Sequence, residues 1–254
     1  MGTLDSFNLT GKKAFITGGA RGIGKSVARA FAEAGADVAI VDTDLRAAEE
    51  TAAELETLGI RSIAVRTDVS DPADVDRMVE TILDEFGTID IAFNNAGICV
   101  NEKAEDMSFE TWKRVIDINL TGIFLTARAA GRVMIKNGGG SIINTASMSG
   151  HIVNVPQPQC AYNASKAAVI LLTKSLAVEW APYNVRVNCV SPGYIGTEMT
   201  LKAVDWIPTW ESLTPMNRMG KPEELTAAIV YLAGYGASFT TGTDLVIDGA
   251  FTCA

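Results

Sequence analysis

Ala14-Phe15-Ile16-Thr17-Gly18-Gly19-Ala20-Arg21-Gly22-Ile23-Gly24 sets a short apolar run directly before a glycine loop and the start of a helix. This order of strand, glycines and helix decides the fold. Glycines at such a turn let the chain reverse tightly, and the backbone N–H groups opening the helix can approach a pyrophosphate. The spacing is Gly-x-x-x-Gly-x-Gly, not the commoner Gly-x-Gly-x-x-Gly. Its position immediately after a first strand therefore carries more of the argument than the glycine count.

Outward from this loop, short β-branched runs alternate with longer helical patterns. Residues 38–41, 62–65, 89–93, 141–144, 185–190 and 244–247 join residues 14–17 as seven expected strands. Near-continuous apolar runs of this kind suit a parallel sheet buried on both faces. Asp71-Pro72 and Lys221-Pro222-Glu223-Glu224 read as helix starts. The alternation implies right-handed crossovers. The expectation is an α/β fold over residues 1–254: one Rossmann-type, doubly wound domain with a seven-stranded parallel sheet and helices on both faces. Only residues 196–215 lack a period, and with Trp206 and Trp210 they read as a long loop serving as a lid.

Composition narrows the function. The chain has 254 residues, 48% of them apolar, and a net charge of −9. No basic run is present to meet nucleic-acid phosphates. No apolar stretch approaches the roughly 18 residues that span a membrane, and residues 1–10 show no signal peptide. Four cysteines (Cys99, Cys160, Cys189, Cys253) are scattered and there is one histidine, His151. They read as reduced thiols of a cytoplasmic protein, with no metal site expected.

Asp42 ends the second strand, where a carboxylate accepts hydrogen bonds from ribose hydroxyls. A 2′-phosphate there meets like charge, on the order of 1–4 kcal/mol. Arg21 pulls the other way, but Thr43 supplies no second cation. NAD is therefore expected over NADP. Asp68-Val69 follows the third strand, either as a helix-entry loop or as an adenine contact. Asn94-Asn95-Ala96-Gly97 ends the fourth, at the crevice where such sheets bind ligands.

Tyr162-Asn163-Ala164-Ser165-Lys166 sets a phenol and an ammonium four residues apart in an expected helix at 161–178. Residues so spaced share a helical face. A cation near the phenol favours phenolate, making Tyr162 able to give or take a proton near neutral pH. The spacing alone fits a snorkelling surface pair equally well.

With the glycine loop, Asp68, Asn94 to Gly97, Asn119 in Ile-Asp-Ile-Asn-Leu, Ser147, Tyr162 with Lys166, and Ser191-Pro192-Gly193 in order, the chain resembles the classical short-chain dehydrogenase/reductase family over essentially its whole length. The resemblance implies a nicotinamide cofactor and a Ser–Tyr–Lys site with a helical asparagine. Tyr162 would be the acid/base, Lys166 would bind ribose hydroxyls and lower the Tyr162 pKa, Ser147 would hold the substrate oxygen, and Asn119 would anchor a water. The cofactor would be met by Gly18, Arg21, Gly22, Ile23, Gly24, Asp42, Asp68, Val69, Asn95, Ala96 and Gly97. Tyr162, Lys166, Pro192, Gly193, Ile195 and Thr197 would complete that set.

Ser147 precedes Tyr162 by 15 residues, and the commoner family spacing fits Ser149 instead. Residues 144–150 and Asn154-Val155-Pro156-Gln157 resemble the sugar and polyol dehydrogenase subgroup, in which the first serine carries catalysis. Ser147 is thus the expected catalytic serine. Ser149, Asn154 and Gln157 are expected substrate contacts beside Ser147 and Tyr162, with His151, Gln159 and Asn163 flanking them. A site lined with hydrogen-bonding groups favours a polyol or ketose. The alternatives are reduction of a non-sugar ketone or 3-oxoacyl compound, and a catalytically silent NAD-binding regulatory protein. Residues 199–211 offer only Lys202 for an acyl carrier. The family resemblance also implies a homotetramer. Val169, Ile170, Leu171, Leu172, Leu176 and Val178 are available for an interface or for the monomer's own core.

Overall fold

The computed structural model describes residues 2–254; Met1 lies outside the described residues. Strands β1 (Lys13–Thr17), β2 (Asp37–Asp42), β3 (Ser62–Arg66), β4 (Ile91–Asn94), β5 (Gly140–Thr145), β6 (Val185–Pro192) and β7 (Asp244–Ile247) form one parallel sheet in the order β3-β2-β1-β4-β5-β6-β7. The order reverses between β1 and β4, which creates the crevice that ligands occupy in such sheets. Register brings Thr17, Val41 and Asn94 level, and Asn94 opposite Asn144. The functional ends of these strands therefore open at one height.

Strand alternation divides the core. Ile16, Ile40, Phe93 and Ile143 face α1 (Gly22–Glu33), α2 (Leu45–Glu56) and α9 (Glu223–Ala233), packing with Val27, Phe31, Leu55 and Ile229. Phe15, Val41, Ala92 and Ile142 face α3 (Pro72–Phe86), α5 (Gly122–Asn137) and α6 (Cys160–Trp180), packing with Met78, Ile82, Met134 and Leu176. Each large side chain so buried contributes roughly 1.5–3 kcal/mol. Asp44 and Asp71 accept from Ala47 N and Ala73 N at the starts of α2 and α3. The first of these carboxylates is thereby assigned to capping and Asp42 to the cavity.

The expected fourth strand shifts to Ile91–Asn94. Asp90 precedes it, its backbone still bonded to Lys13 O and Ser141 N and its carboxylate accepting from Lys13 N at 2.9 Å. The segment 196–215, expected as a loop, contains two short helices, α7 (Glu198–Leu201) and α8 (Ile207–Leu213). A capping box between Thr197 and Thr200 starts α7. Between β4 and α5 lie α4 (Phe109–Ile116) and a π-helical turn, Asp117–Thr121. No helix among the described residues is long and apolar enough to cross a membrane.

Candidate active site

A cavity of about 780 Å³ opens above β1 and β4. Gly18, Arg21, Gly22 and Ile23 form one wall. Gly18 has φ +62°, and a Cβ on Gly24 would stand 2.0 Å from the Gly18 carbonyl oxygen. Only glycine lets the first turn of α1 close on the loop this way. Asn95 Nδ2 donates to the carbonyls of Thr17 and Gly18, each at 3.1 Å. Thr17 Oγ1 accepts from Asn95 N and Ala96 N. These bonds lock the end of β4 to the glycine loop.

Asp42 borders the cavity with Oδ2 on Ala20 N at 3.2 Å and Oδ1 on Asp44 N at 3.1 Å. Arg21, expected as a possible phosphate ligand, forms an ion pair with Asp44. Asp68 holds Ser70 N and Oγ through Oδ1. Val69, Ala96, Gly97 and Thr197 also line the cavity, whereas Gly24, Pro192, Gly193 and Ile195, expected as cofactor contacts, do not. Arg114, Ile118 and Lys202 reach it from α4, the π turn and the segment after α7. Sequence spacing pointed to neither Arg114 nor Ile118. Glycine cradle, carboxylate and elongated cavity together fit a nicotinamide dinucleotide.

Tyr162 and Lys166 line the same cavity. The buried stripe of α6 runs through Ala161, Ser165, Lys166, Val169, Ile170, Thr173 and Leu176, and Lys166 is 2% exposed. A lysine this enclosed does not snorkel. Its Nζ donates to the Thr145 carbonyl at 2.7 Å and stands 5.6 Å from the centroid of the Tyr162 ring. Burial pulls Lys166 down to about 8. Burial likewise pushes Tyr162 up to about 12, with the Ser147 hydroxyl acting in the opposite direction. The expectation that Lys166 lowers the phenol pKa is corrected accordingly. The ammonium is directed at a carbonyl and the ring face, so desolvation of the phenolate dominates.

Asn119 is fully buried in the π turn. Its Oδ1 accepts from Ile98 N and its Nδ2 donates to Ile98 O, both at 2.8 Å, with Ser165 Oγ at 3.2 Å. Both amide hydrogens are thereby used, so the side chain holds the loop after β4 against α6. A Cβ on Gly97 would lie 3.3 Å from Asn119 Oδ1 and 3.6 Å from Lys166 Nζ. The loop, Asn119 and Lys166 are thus immediate neighbours.

Ser147 Oγ accepts from Ser149 N and donates to Ser149 Oγ, both at 3.1 Å. Beyond them, Ser149, Asn154, Gln157 and Gln159 form a buried wall of uncharged polar groups. Asn154 and Gln157 donate to Tyr194 Oη at 3.1 and 2.8 Å. Gln157 Oε1 accepts from Trp210 Nε1 at 3.0 Å, and Trp210 stacks on Tyr194 at 4.3 Å. These two expected substrate contacts therefore tie Trp210 of α8 to Tyr194, just after β6. Trp210 is 4% exposed and packs on its own chain. His151, expected beside the centre, instead bonds Asp244 on β7 at 2.6 Å. Among the described residues no group of three His, Cys, Asp or Glu could hold a metal ion.

A family model described as enoyl-(acyl carrier protein) reductase matches residues 18–252. A solved short-chain type dehydrogenase/reductase from Mycobacterium marinum superposes with a TM-score of 0.98 at 50% identity, covering 100% of both chains. The chain belongs to the short-chain dehydrogenase/reductase family. Sorbose reductase of Candida albicans is 44% identical over 98% of this chain and 90% of its own length. A probable NADP-dependent mannitol dehydrogenase of Yarrowia lipolytica is 45% identical over 98% and 91%. The protein is an oxidoreductase of this family.

Proposed function

We propose that this short-chain dehydrogenase/reductase is an NAD-dependent enzyme interconverting a secondary alcohol of a polyol with the corresponding ketose. The observation that carries the reading is the buried wall of Ser147, Ser149, Asn154, Gln157 and Gln159 next to Tyr162, built from hydroxyls and amides with no formal charge. Such groups suit a substrate carrying several hydroxyls. The relatives named for sorbose and mannitol support the same substrate class.

A nicotinamide held by the glycine loop and Asp42 would supply the hydride chemistry. Tyr162 Oη takes the alcohol proton in oxidation and returns it to the developing alkoxide in reduction. Ser147 Oγ holds the reacting oxygen, directing it at Tyr162. Lys166, with Nζ on the Thr145 carbonyl, would offer its two remaining N–H donors to ribose hydroxyls. Asn119 positions residues 97–98 through both backbone groups of Ile98. NAD is favoured because Asp42 borders the cavity and Arg21 is compensated by Asp44. The name of the mannitol relative, which specifies NADP, points the other way. Residues 196–215 act as the lid, and Leu171 and Val178, 66% and 78% exposed on α6, support a homotetramer.

The test is NAD reduction at fixed pH across C4–C6 polyols and apolar secondary alcohols. Turnover confined to polyols is expected and should vanish in Tyr162→Phe. Turnover only with apolar alcohols overturns the substrate reading. Reduction of a 3-oxoacyl thioester in preference to any ketose would favour the acyl alternative.

A further inference from the structure

His151 is the single histidine of the chain, and the mechanism above gives it no role. It directly follows the turn Met148–Gly150, which Ser147 caps. Backbone bonds close that turn: Gly150 N donates to Ser147 O and His151 N to Met148 O, both at 2.9 Å. The place of Ser147 therefore depends on what the turn is fastened to. On one side a Cβ at Gly150 would stand 2.8 Å from Ile170 Cδ1 and 2.9 Å from Ala167 N, so the turn presses directly on α6. Before the turn, Ala146 N donates to Val190 O at 2.8 Å, which continues the pairing of β5 with β6.

The third fastening is a side chain. His151 Nε2 stands 2.6 Å from Asp244 Oδ2. A carboxylate only accepts, so the ring nitrogen is the donor. Asp244 opens β7, and its side chain is 8% exposed. Its other oxygen accepts from Ser191 Oγ on β6 at 2.7 Å, and Ser191 is fully buried. A carboxylate enclosed in this way is a fixed anchor, and a hydrogen bond to it is short and directional. The imidazole thus links the turn after β5 to a strand two places away in the sheet. The His151 side chain is itself 36% exposed, so replacing it opens no cavity in the core.

We infer that His151 is a positioning residue for Ser147: its bond to Asp244 holds the turn Met148–Gly150 and so fixes the Ser147 hydroxyl beside Tyr162. The imidazole acts through the turn and meets no reacting atom. This rests on the role given to Ser147 above and deepens it. Small displacements matter at such a place, because about 1 Å of misplacement at a reacting oxygen can cost on the order of a hundredfold in rate.

The test follows NAD-linked oxidation of the best polyol in wild type, His151→Phe, His151→Gln, Ser147→Ala and the double variant Ser147→Ala with His151→Phe. His151→Phe keeps a ring and loses the donor; kcat should fall at least about tenfold while the KM for NAD stays within about twofold. His151→Gln, whose amide can still donate to Asp244, should stay within about threefold of wild type. In the Ser147→Ala background His151→Phe should cost nothing further, because residues acting as a unit are not additive. The same fold-loss in both backgrounds overturns the inference, as does a kcat that His151→Phe leaves unmoved. His151→Gln failing as badly as His151→Phe overturns it too. In ¹⁵N-labelled wild type the one imidazole should carry a hydrogen on Nε2 at neutral pH. A bare Nε2 removes the donation to Asp244 and overturns the inference without any variant. Full turnover in Ser147→Ala would instead sink the role of Ser147 itself, an outcome distinct from an impaired Ser147→Ala on which His151→Phe adds its whole loss.

Discussion

Replacing Asn119 by alanine tests whether this buried amide acts by holding the loop after β4. The side chain satisfies both backbone groups of Ile98 at 2.8 Å and reaches Ser165 at 3.2 Å. Its loss orphans one backbone N–H and one C=O, each costing about 1–3 kcal/mol when buried. Ile98 is only partly buried. The lower half of that range applies, about 2–4 kcal/mol in total. For a chain of this size each kcal/mol moves the melting temperature by roughly 2–4 °C, so a fall of about 4–16 °C is expected. Asn119→Asp keeps the acceptor for Ile98 N and loses the donors, so it should fall about half as far. The assay is a thermal melt followed by circular dichroism, with and without saturating NAD, beside the KM for NAD. Since Gly97 and Ile98 line the cavity, that KM should rise several-fold in both variants. An Asn119→Ala protein that melts within 2 °C of wild type but has lost turnover would refute the reasoning. Asn119 would then act on the chemistry and not through Ile98.

Asp42→Ser should raise kcat/KM for NADP at least about fivefold while lowering that for NAD, since about 1–4 kcal/mol of like-charge repulsion is removed; unchanged selectivity would place the 2′-hydroxyl elsewhere. Trp210→Ala removes the partner stacked on Tyr194 and frees Gln157 Oε1. The polyol KM should rise about tenfold with little change in the KM for NAD, and equal rises in both would count against a lid specific to substrate. Lys166 has its folded pKa lowered to about 8 from 10.5, so between these values the unfolded chain binds more protons. That contribution to stability grows as pH rises through the window. The urea midpoint of wild type relative to Lys166→Met should therefore climb from pH 8 to pH 10; a flat difference would mean that Lys166 is not desolvated.

The layout of the fold was legible because its signals are local. A strand, a glycine turn and a helix start lie within residues 14–24, and seven apolar runs repeat the rhythm. Asp44 and Asp71 cap helices where their position predicts, because a cap needs only a backbone N–H two or three residues away. Boundaries failed where distant groups intervened. Residues 89–90 read as strand, yet the paired register begins at Ile91, with Asp90 at its edge holding Lys13 N through its carboxylate. Residues 196–215 read as irregular because helices as short as α7 and α8 carry too few turns to display a period.

The site divides along the same line, and the Tyr162–Lys166 pair shows why. Spacing of four states that two side chains share a helical face; it does not state whether that face meets water. Exposed, the ammonium would be solvated and the phenol ordinary. Buried, as here, both groups lose hydration, and each is pushed toward its neutral form: Lys166 down to about 8, Tyr162 up to about 12. The sign of the Tyr162 shift thus follows from burial that only the packed α6 reveals. The same holds for the polar wall, whose direction is set from its two ends. The Trp210 indole can only donate, and the Cys99 thiol donates to Gln159. Both strings of hydrogen bonds converge on Tyr194 Oη as acceptor, through Gln157 on one side and Gln159–Asn154 on the other. Residues as far apart as 99 and 210 decide which way each amide faces. No motif within residues 154–163 could have carried that information.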